Sequence, residues 1–216
     1  MTRRRSLQWA EGRTVDIMEE GDGPSVIVLA HGAGAGQRHP FMAGMRRRLA
    51  ASQRVITFDY PYIAEGRRAP DRMPVLLDCH RAVVEATDAE RPILGGKSMG
   101  GRMASHLEAP DAVAIFFLGY PLVPIGKSEP RDTSHLDQLA APMLFVQGER
   151  DRLGPPELLG PIVATLPGAS MVVIPDADHS FKVPKRAGID EGAMLDLLAA
   201  TVVGWLAGLG ARGVGE

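Results

Sequence analysis

The chain has 216 residues, 45% of them hydrophobic and 23% charged, which is enough apolar material for a sizeable core and excludes a disordered or low-complexity protein. Its formal charge of −2 exerts no overall pull on nucleic acid or on an anionic membrane, so neither is expected as a partner. Cys79 is the single cysteine, so an intrachain disulfide is excluded and a reducing, cytoplasmic location is expected.

Thr2-Arg3-Arg4-Arg5 carries the charge of a signal-peptide leader, yet Ser6 to Glu11 brings no apolar run behind it. Residues 7–18 alternate weakly and predict one or two short antiparallel edge strands, closed by a turn at Glu20-Gly21-Asp22-Gly23-Pro24. Ser25 to Ala30 is an unbroken apolar run with β-branched residues, as expected of a strand buried on both faces of a parallel sheet. His31-Gly32-Ala33-Gly34-Ala35-Gly36 follows it, then a helix around Phe41–Ser52 and a strand over Arg54–Phe58. A basic loop over residues 65–72 leads into a helix from about Pro74 to Thr87, with the proline in its first turn.

Arg91-Pro92-Ile93-Leu94 is the next strand. It runs into Gly95-Gly96-Lys97-Ser98-Met99-Gly100-Gly101 and a helix from Arg102 to Leu107. Further strands are predicted at Ala112–Leu118, Pro142–Val146 and Met171–Ile174, with helices at Pro156–Leu166 and Asp190–Leu209. The apolar run from Leu197 to Leu209 is too short to span a bilayer and reads as a buried packing helix. Strands alternating with helices predict a three-layer, doubly wound, mostly parallel α/β sheet forming one domain over residues 1–216. Residues 121–135 are too few for a large cap, which predicts an open, shallow pocket with Tyr60, Tyr62, Tyr120 and Leu122 among its walls.

Strand, Gly-x-Ser-x-Gly, helix is the shape that puts a serine at the tip of a strained turn, and only glycine fits at Gly96 and Gly100 on either side. Gly-Lys-Ser also ends a phosphate-binding loop, but that motif needs a glycine where Arg91 stands. Ligands bind beyond the carboxyl ends of such strands, where Asp151 and His179 also fall. Imidazole can take the proton of a serine hydroxyl near neutral pH, and the imidazole needs an acid to orient it. Ser98, Asp151 and His179 are therefore the candidate nucleophile, acid and base, with Glu149, Asp176 and Asp178 as rival acids. The backbone N–H groups of Met99 and Ala33 are the candidate oxyanion donors.

These motifs, Gly-x-Ser-x-Gly-Gly, His-Gly-Ala-Gly, Gly-Glu-Arg-Asp and Asp-His-Ser-Phe, together resemble the α/β-hydrolase superfamily on its small dienelactone-hydrolase-like side. More narrowly, His31 to Gly36, Pro40-Phe41-Met42, Phe58 to Tyr62, Gly66-Arg67-Arg68 and Gly96 to Arg102 are similar to a group of small bacterial hydrolases. That group is related to a testis-expressed protein and to a subunit of the non-specific-lethal histone-acetyltransferase complex. The resemblance implies a minimal α/β-hydrolase fold without a large cap. Dienelactone hydrolases proper carry a cysteine nucleophile, so Ser98 favours hydrolysis of a small-molecule ester or thioester, without cofactor or metal. The eukaryotic relative implies a competing reading, a non-catalytic assembly module.

Gly32, Gly34 and Asp59 also resemble part of a dinucleotide fingerprint, but its third glycine position is Gln37. His39, His80, His106 and His135 lack ligand spacing, and Cys79 reads as a core residue. Ten basic residues fall near the catalytic edge: Arg67, Arg68, Arg72, Lys97, Arg102, Lys127, Arg131, Arg150, Lys182 and Lys185. Either they pair with Asp59, Asp71, Glu129 and Asp132, or they form an electropositive mouth for anionic substrates, with Lys97 facing the substrate. An exposed edge strand leaves homodimer formation open.

Overall fold

The structure is a computed structural model that describes residues 1–107, 109 and 111–212. Eight strands form one sheet in the order β1-β2-β4-β3-β5-β6-β7-β8. β1 (Arg3–Ala10) and β2 (Arg13–Glu20) make an antiparallel hairpin, and β2 joins β4 (Arg54–Phe58) antiparallel. β3 (Val26–Ala30), β4, β5 (Ile93–Lys97), β6 (Ala114–Leu118), β7 (Met143–Gly148) and β8 (Ala169–Ile174) run parallel. The hairpin is longer than the weak alternation of residues 7–18 predicts. Its exposed Arg3, Arg4 and Arg5 continue the edge strand while blocking further pairing with their charge.

Strand alternation divides the core in two. On one face Val28, Phe58, Leu94, Phe117 and Phe145 pack beneath α3 (Met73–Glu85), α4 (Met99–Ala104) and α5 (Pro156–Thr165). On the other, Ile27, Leu29, Phe116, Leu144 and Val146 meet α1 (Pro40–Leu49) and α6 (Glu191–Arg212). A four-residue helix, α2 (Pro61–Ala64), follows β4. α6 carries a 20-residue stretch, Glu191–Gly210, long and apolar enough by length and composition to cross a membrane, so the expectation that it is too short is corrected. Met194, Leu198, Ala199 and Val202 bury one side of it against the sheet.

The chain reverses its direction of growth between β3 and β5, which is where ligands sit in doubly wound sheets. Buried polar groups hold the loop after β3 at that point. The backbone N–H of Tyr60 donates to His31 Nε2 at 2.9 Å, which leaves the ring proton on Nδ1 to donate to the Gly32 carbonyl at 2.8 Å. Asp59 turns inward and accepts from the backbone N–H and side-chain amide of Gln37 at 2.7 and 3.1 Å, not outward toward a ribose. Below them the Tyr60 hydroxyl meets His80 Nδ1 at 3.1 Å.

Burial pushes His80 down from 6.5 to about 3, and His31 is lowered for the same reason. The unfolded chain therefore binds protons that the folded chain refuses as pH falls from 6.5 toward about 3. Stability is complete above that window and declines through it, by up to about 1.4 kcal/mol per pH unit for each such histidine. Urea midpoints measured between about pH 7 and pH 4.5 should fall steadily, and the fall should be shallower in His80→Gln, which has no proton to gain.

Candidate active site

Ser98 lies at the junction of β5 and α4 with φ 50° and ψ −117°, left-handed backbone that a residue with a side chain adopts at a cost of about 1–3 kcal/mol. The junction is crowded by main chain. A Cβ on Gly96 would stand 2.2 Å from the Gly101 nitrogen, and one on Gly100 would stand 2.4 Å from the Ala30 oxygen. Those two contacts explain the glycines of the motif as steric necessities. The Ser98 N–H donates to the Leu118 carbonyl at 3.0 Å, and its own carbonyl accepts from Arg102 N at 3.0 Å. Both neighbours thus lock the strained residue in place.

His179, on the loop after β8, brings Nε2 to 2.8 Å from Ser98 Oγ and Nδ1 to 2.7 Å from Asp151 Oδ2. Asp151 is 1% exposed and accepts three more bonds, from the Gln147 amide at 2.7 Å and from the N–H groups of Leu153 and Gly154 at 2.8 and 3.1 Å. Four donors on one buried carboxylate hold it as an acceptor aimed at the imidazole. The rival acids have other work. Glu149 accepts from Asp176 N at 2.7 Å, Asp178 accepts from the N–H groups of Ser180 and Lys182 at 2.8 and 2.9 Å, and Asp176 pairs with Arg186 at 3.0 Å.

A cavity of about 400 Å³ opens beside Ser98 and His179. Ala33 lines it, and Met99 is the first residue of α4, so the Met99 N–H is one of the helix donors with no carbonyl of the helix to meet. Its apolar walls are Phe41, Met42, Phe181, Met194 and Leu195, all from the α1 and α6 side. The four expected walls, Tyr60, Tyr62, Tyr120 and Leu122, are corrected: all are buried in the core on the opposite face, among the side chains under α3, α4 and α5. The strand ends carry them to that face, and the cavity opens on the other. A second depression, of about 760 Å³, borders Asp151 and His179 but does not reach Ser98.

The basic residues divide. Arg67 pairs with Glu65 and Asp71 at 2.7 and 2.6 Å, as the solvated-rim expectation has it. Asp59 and Asp132 instead bind Gln37 and Ser134. Lys97 and Lys182 line the cavity, but Lys97 Nζ turns to the His179 carbonyl, to which it donates at 2.6 Å. His106 and His135 stack with ring centroids 3.6 Å apart, away from the cavity.

A model of the family described as alpha/beta hydrolase domain matches residues 23–207. The chain belongs to that family. Solved structures of similar fold include Est1E from Butyrivibrio proteoclasticus, with 13% identity and a TM-score of 0.74 over 96% of this chain and 99% of that one. A malate-bound thermophilic esterase from Thermogutta terrifontis has 17% identity and a TM-score of 0.76, over 96% and 99% of the two chains. The serine hydrolase XC6422 from Xanthomonas campestris, described as having no lid, has 18% identity and a TM-score of 0.68, over 92% and 91%. A search of curated protein sequences found no match. At these identities the likeness is one of fold.

One site residue of this α/β-hydrolase was not legible in its sequence. Gln147, the last residue but one of the apolar strand β7, is fully buried; its oxygen accepts from Tyr120 N at 2.9 Å while its amide donates to Asp151. Gln147→Leu leaves the buried Tyr120 N–H without its acceptor and takes one of four donors from Asp151, and should cost about 1–3 kcal/mol in urea unfolding. Gln147→Glu, which keeps the Tyr120 bond but faces Asp151 with a second carboxylate, should be worse than Leu near neutral pH and recover toward it in acid.

Proposed function

We propose that this α/β-hydrolase is a serine hydrolase that cleaves a carboxylic ester or thioester through an acyl-enzyme. The observation that carries the reading is the unbroken chain of short contacts from Ser98 Oγ through the His179 ring to Asp151. His179 Nε2 takes the hydroxyl proton as Ser98 Oγ bonds to the substrate carbonyl carbon. The carbonyl electrons move onto oxygen, and the N–H groups of Met99 and Ala33 stabilise that oxyanion. Collapse breaks the bond to the leaving alcohol or thiol, which takes the proton from the imidazolium. A water then repeats the sequence: His179 accepts its proton, its oxygen attacks the acyl carbon, and Ser98 leaves reprotonated. Asp151 keeps the imidazole in the tautomer that both halves require.

The cavity supports a small substrate. About 400 Å³ between Phe41, Met42, Phe181, Met194 and Leu195 suits a short apolar acyl or alkyl group, with the scissile carbonyl over Ser98. Exposed Lys182 at the same mouth would favour substrates that also bear a carboxylate. The small dienelactone-hydrolase-like grouping fits this size, and a serine at the elbow fits ester and thioester chemistry.

A fluorophosphonate probe should label the wild-type protein, and Ser98→Ala should abolish that labelling. On short-chain aryl esters, Ser98→Ala and His179→Ala should each lower kcat by at least about 10³-fold, and the double variant should be little worse than either. Absence of labelling in folded wild type would reject the enzyme and leave the assembly-module reading.

A further inference from the structure

The residue before the nucleophile is a lysine placed where a cation is costly. Lys97 follows the last glycine of β5, and its stem passes Gly32 while its ammonium reaches the space beside Gly119 that Asp151 and His179 also border. Phe41 and Phe181, stacked with centroids 6.0 Å apart, present their rings to Nζ at 6.0 and 5.4 Å. Nζ donates to the His179 carbonyl at 2.6 Å. Gly119, with φ +72°, leaves the space in which this happens. A Cβ there would stand 3.1 Å from Lys97 Nζ, 3.5 Å from Asp151 Oδ2 and 3.5 Å from His179 Cε1, so ammonium, carboxylate and imidazole converge on one point.

We propose that Lys97 is a positioning residue for the triad, its ammonium anchoring the His179 main chain and offsetting the Asp151 charge that the imidazole feels. This rests on the serine-hydrolase reading of the same site. The anchoring follows from the bond: a charged donor to a carbonyl is stronger than a neutral one, and this one fixes the backbone of the base itself. The charge effect follows from placement. A carboxylate alone beside an imidazole favours imidazolium, which cannot accept the serine proton; a cation at the same point opposes it. The groups that face Nζ are Asp151 from the loop after β7 and Asp178 and His179 from the loop after β8; α1 offers only Phe41, and the loops after β3 and β6 offer glycines. His39, Lys182 and Glu191 are the other titratable side chains of the cavity. Burial lowers Lys97 from 10.5 to about 8, while Asp151 and Asp178 pull the other way and favour the ammonium.

The test compares wild type, Lys97→Met and Lys97→Gln on a neutral aryl acetate and on a carboxylate-bearing aryl ester across pH, with fluorophosphonate labelling and urea unfolding alongside. In Lys97→Met, kcat should fall about 10–100-fold with KM within about twofold, since the loss is one of orientation and not of binding. The acid limb of its kcat profile should move up by roughly half a unit to one unit as the opposing charge is lost. Lys97→Gln, which keeps a donor but no charge, should show the same acid-limb shift with a smaller loss in kcat. In a Cys79→Ala background, Lys97→Cys alkylated with bromoethylamine restores an ammonium at nearly the original length, and it should regain both kcat and the wild-type limb. Unchanged kcat and pH profile in folded, labelled Lys97→Met would overturn the role. So would a change confined to KM for carboxylate-bearing esters, which would make Lys97 a substrate contact. Lack of labelling in wild type would instead reject the hydrolase reading beneath it.

Discussion

The site depends on one steric constraint, the close approach of α4 to the ends of β3 and β5. Main chain meets main chain there, at Gly96 against Gly101 and at Gly100 against Ala30. No Cβ fits between them, so Ser98 is forced into left-handed backbone and its hydroxyl projects from the sheet edge. The strain is borne by hydrogen bonds from both neighbouring elements and by the packed layers behind them. The contact of 2.8 Å from Ser98 Oγ to His179 Nε2 depends on this junction, because it sets where the hydroxyl stands.

The remaining geometry is built from buried polar contacts that serve two purposes at once. His31 and Asp59 tie the loops after β3 and β4 together, which fixes Ala33 on the cavity wall. Gln147 holds Tyr120 on one side and Asp151 on the other, joining the loop after β6 to the acid. Backbone bonds from Glu149 to Ile174 and from Arg150 to Ala177, at 3.0 and 2.8 Å, join the acid loop to the base loop. Each satisfies a polar group, and each also sets the position of a residue of the candidate site.

Much of this was legible in the sequence because it follows from periodicity and spacing. The parallel strands read as unbroken apolar runs, and the order Ser98, Asp151, His179 at three strand ends survives any error of a few residues in element boundaries. The cavity walls were not legible. Tyr60, Tyr62, Tyr120 and Leu122 do follow strand ends, but which face each takes depends on where the chain turns after the strand, and all four turned to the α3–α5 side. Gln147 was hidden for a related reason: one polar residue near the end of a buried strand carries no periodic signal. Lys97 was half legible. A cation at a helix N-terminus calls for a partner, and it has one, but the partner is a backbone carbonyl, which has no signature in sequence.

The sheet is asymmetric in a way that bears on how the molecule would fail. β5, which carries the serine, is flanked on both sides, whereas β8, which carries the histidine, is the margin of the sheet and has a neighbour on one side only. Outer strands open locally at less cost than inner ones. Gentle heating would therefore loosen the His179 loop while Ser98 and its strained turn stayed intact, parting the two side chains in a molecule whose centre is still folded.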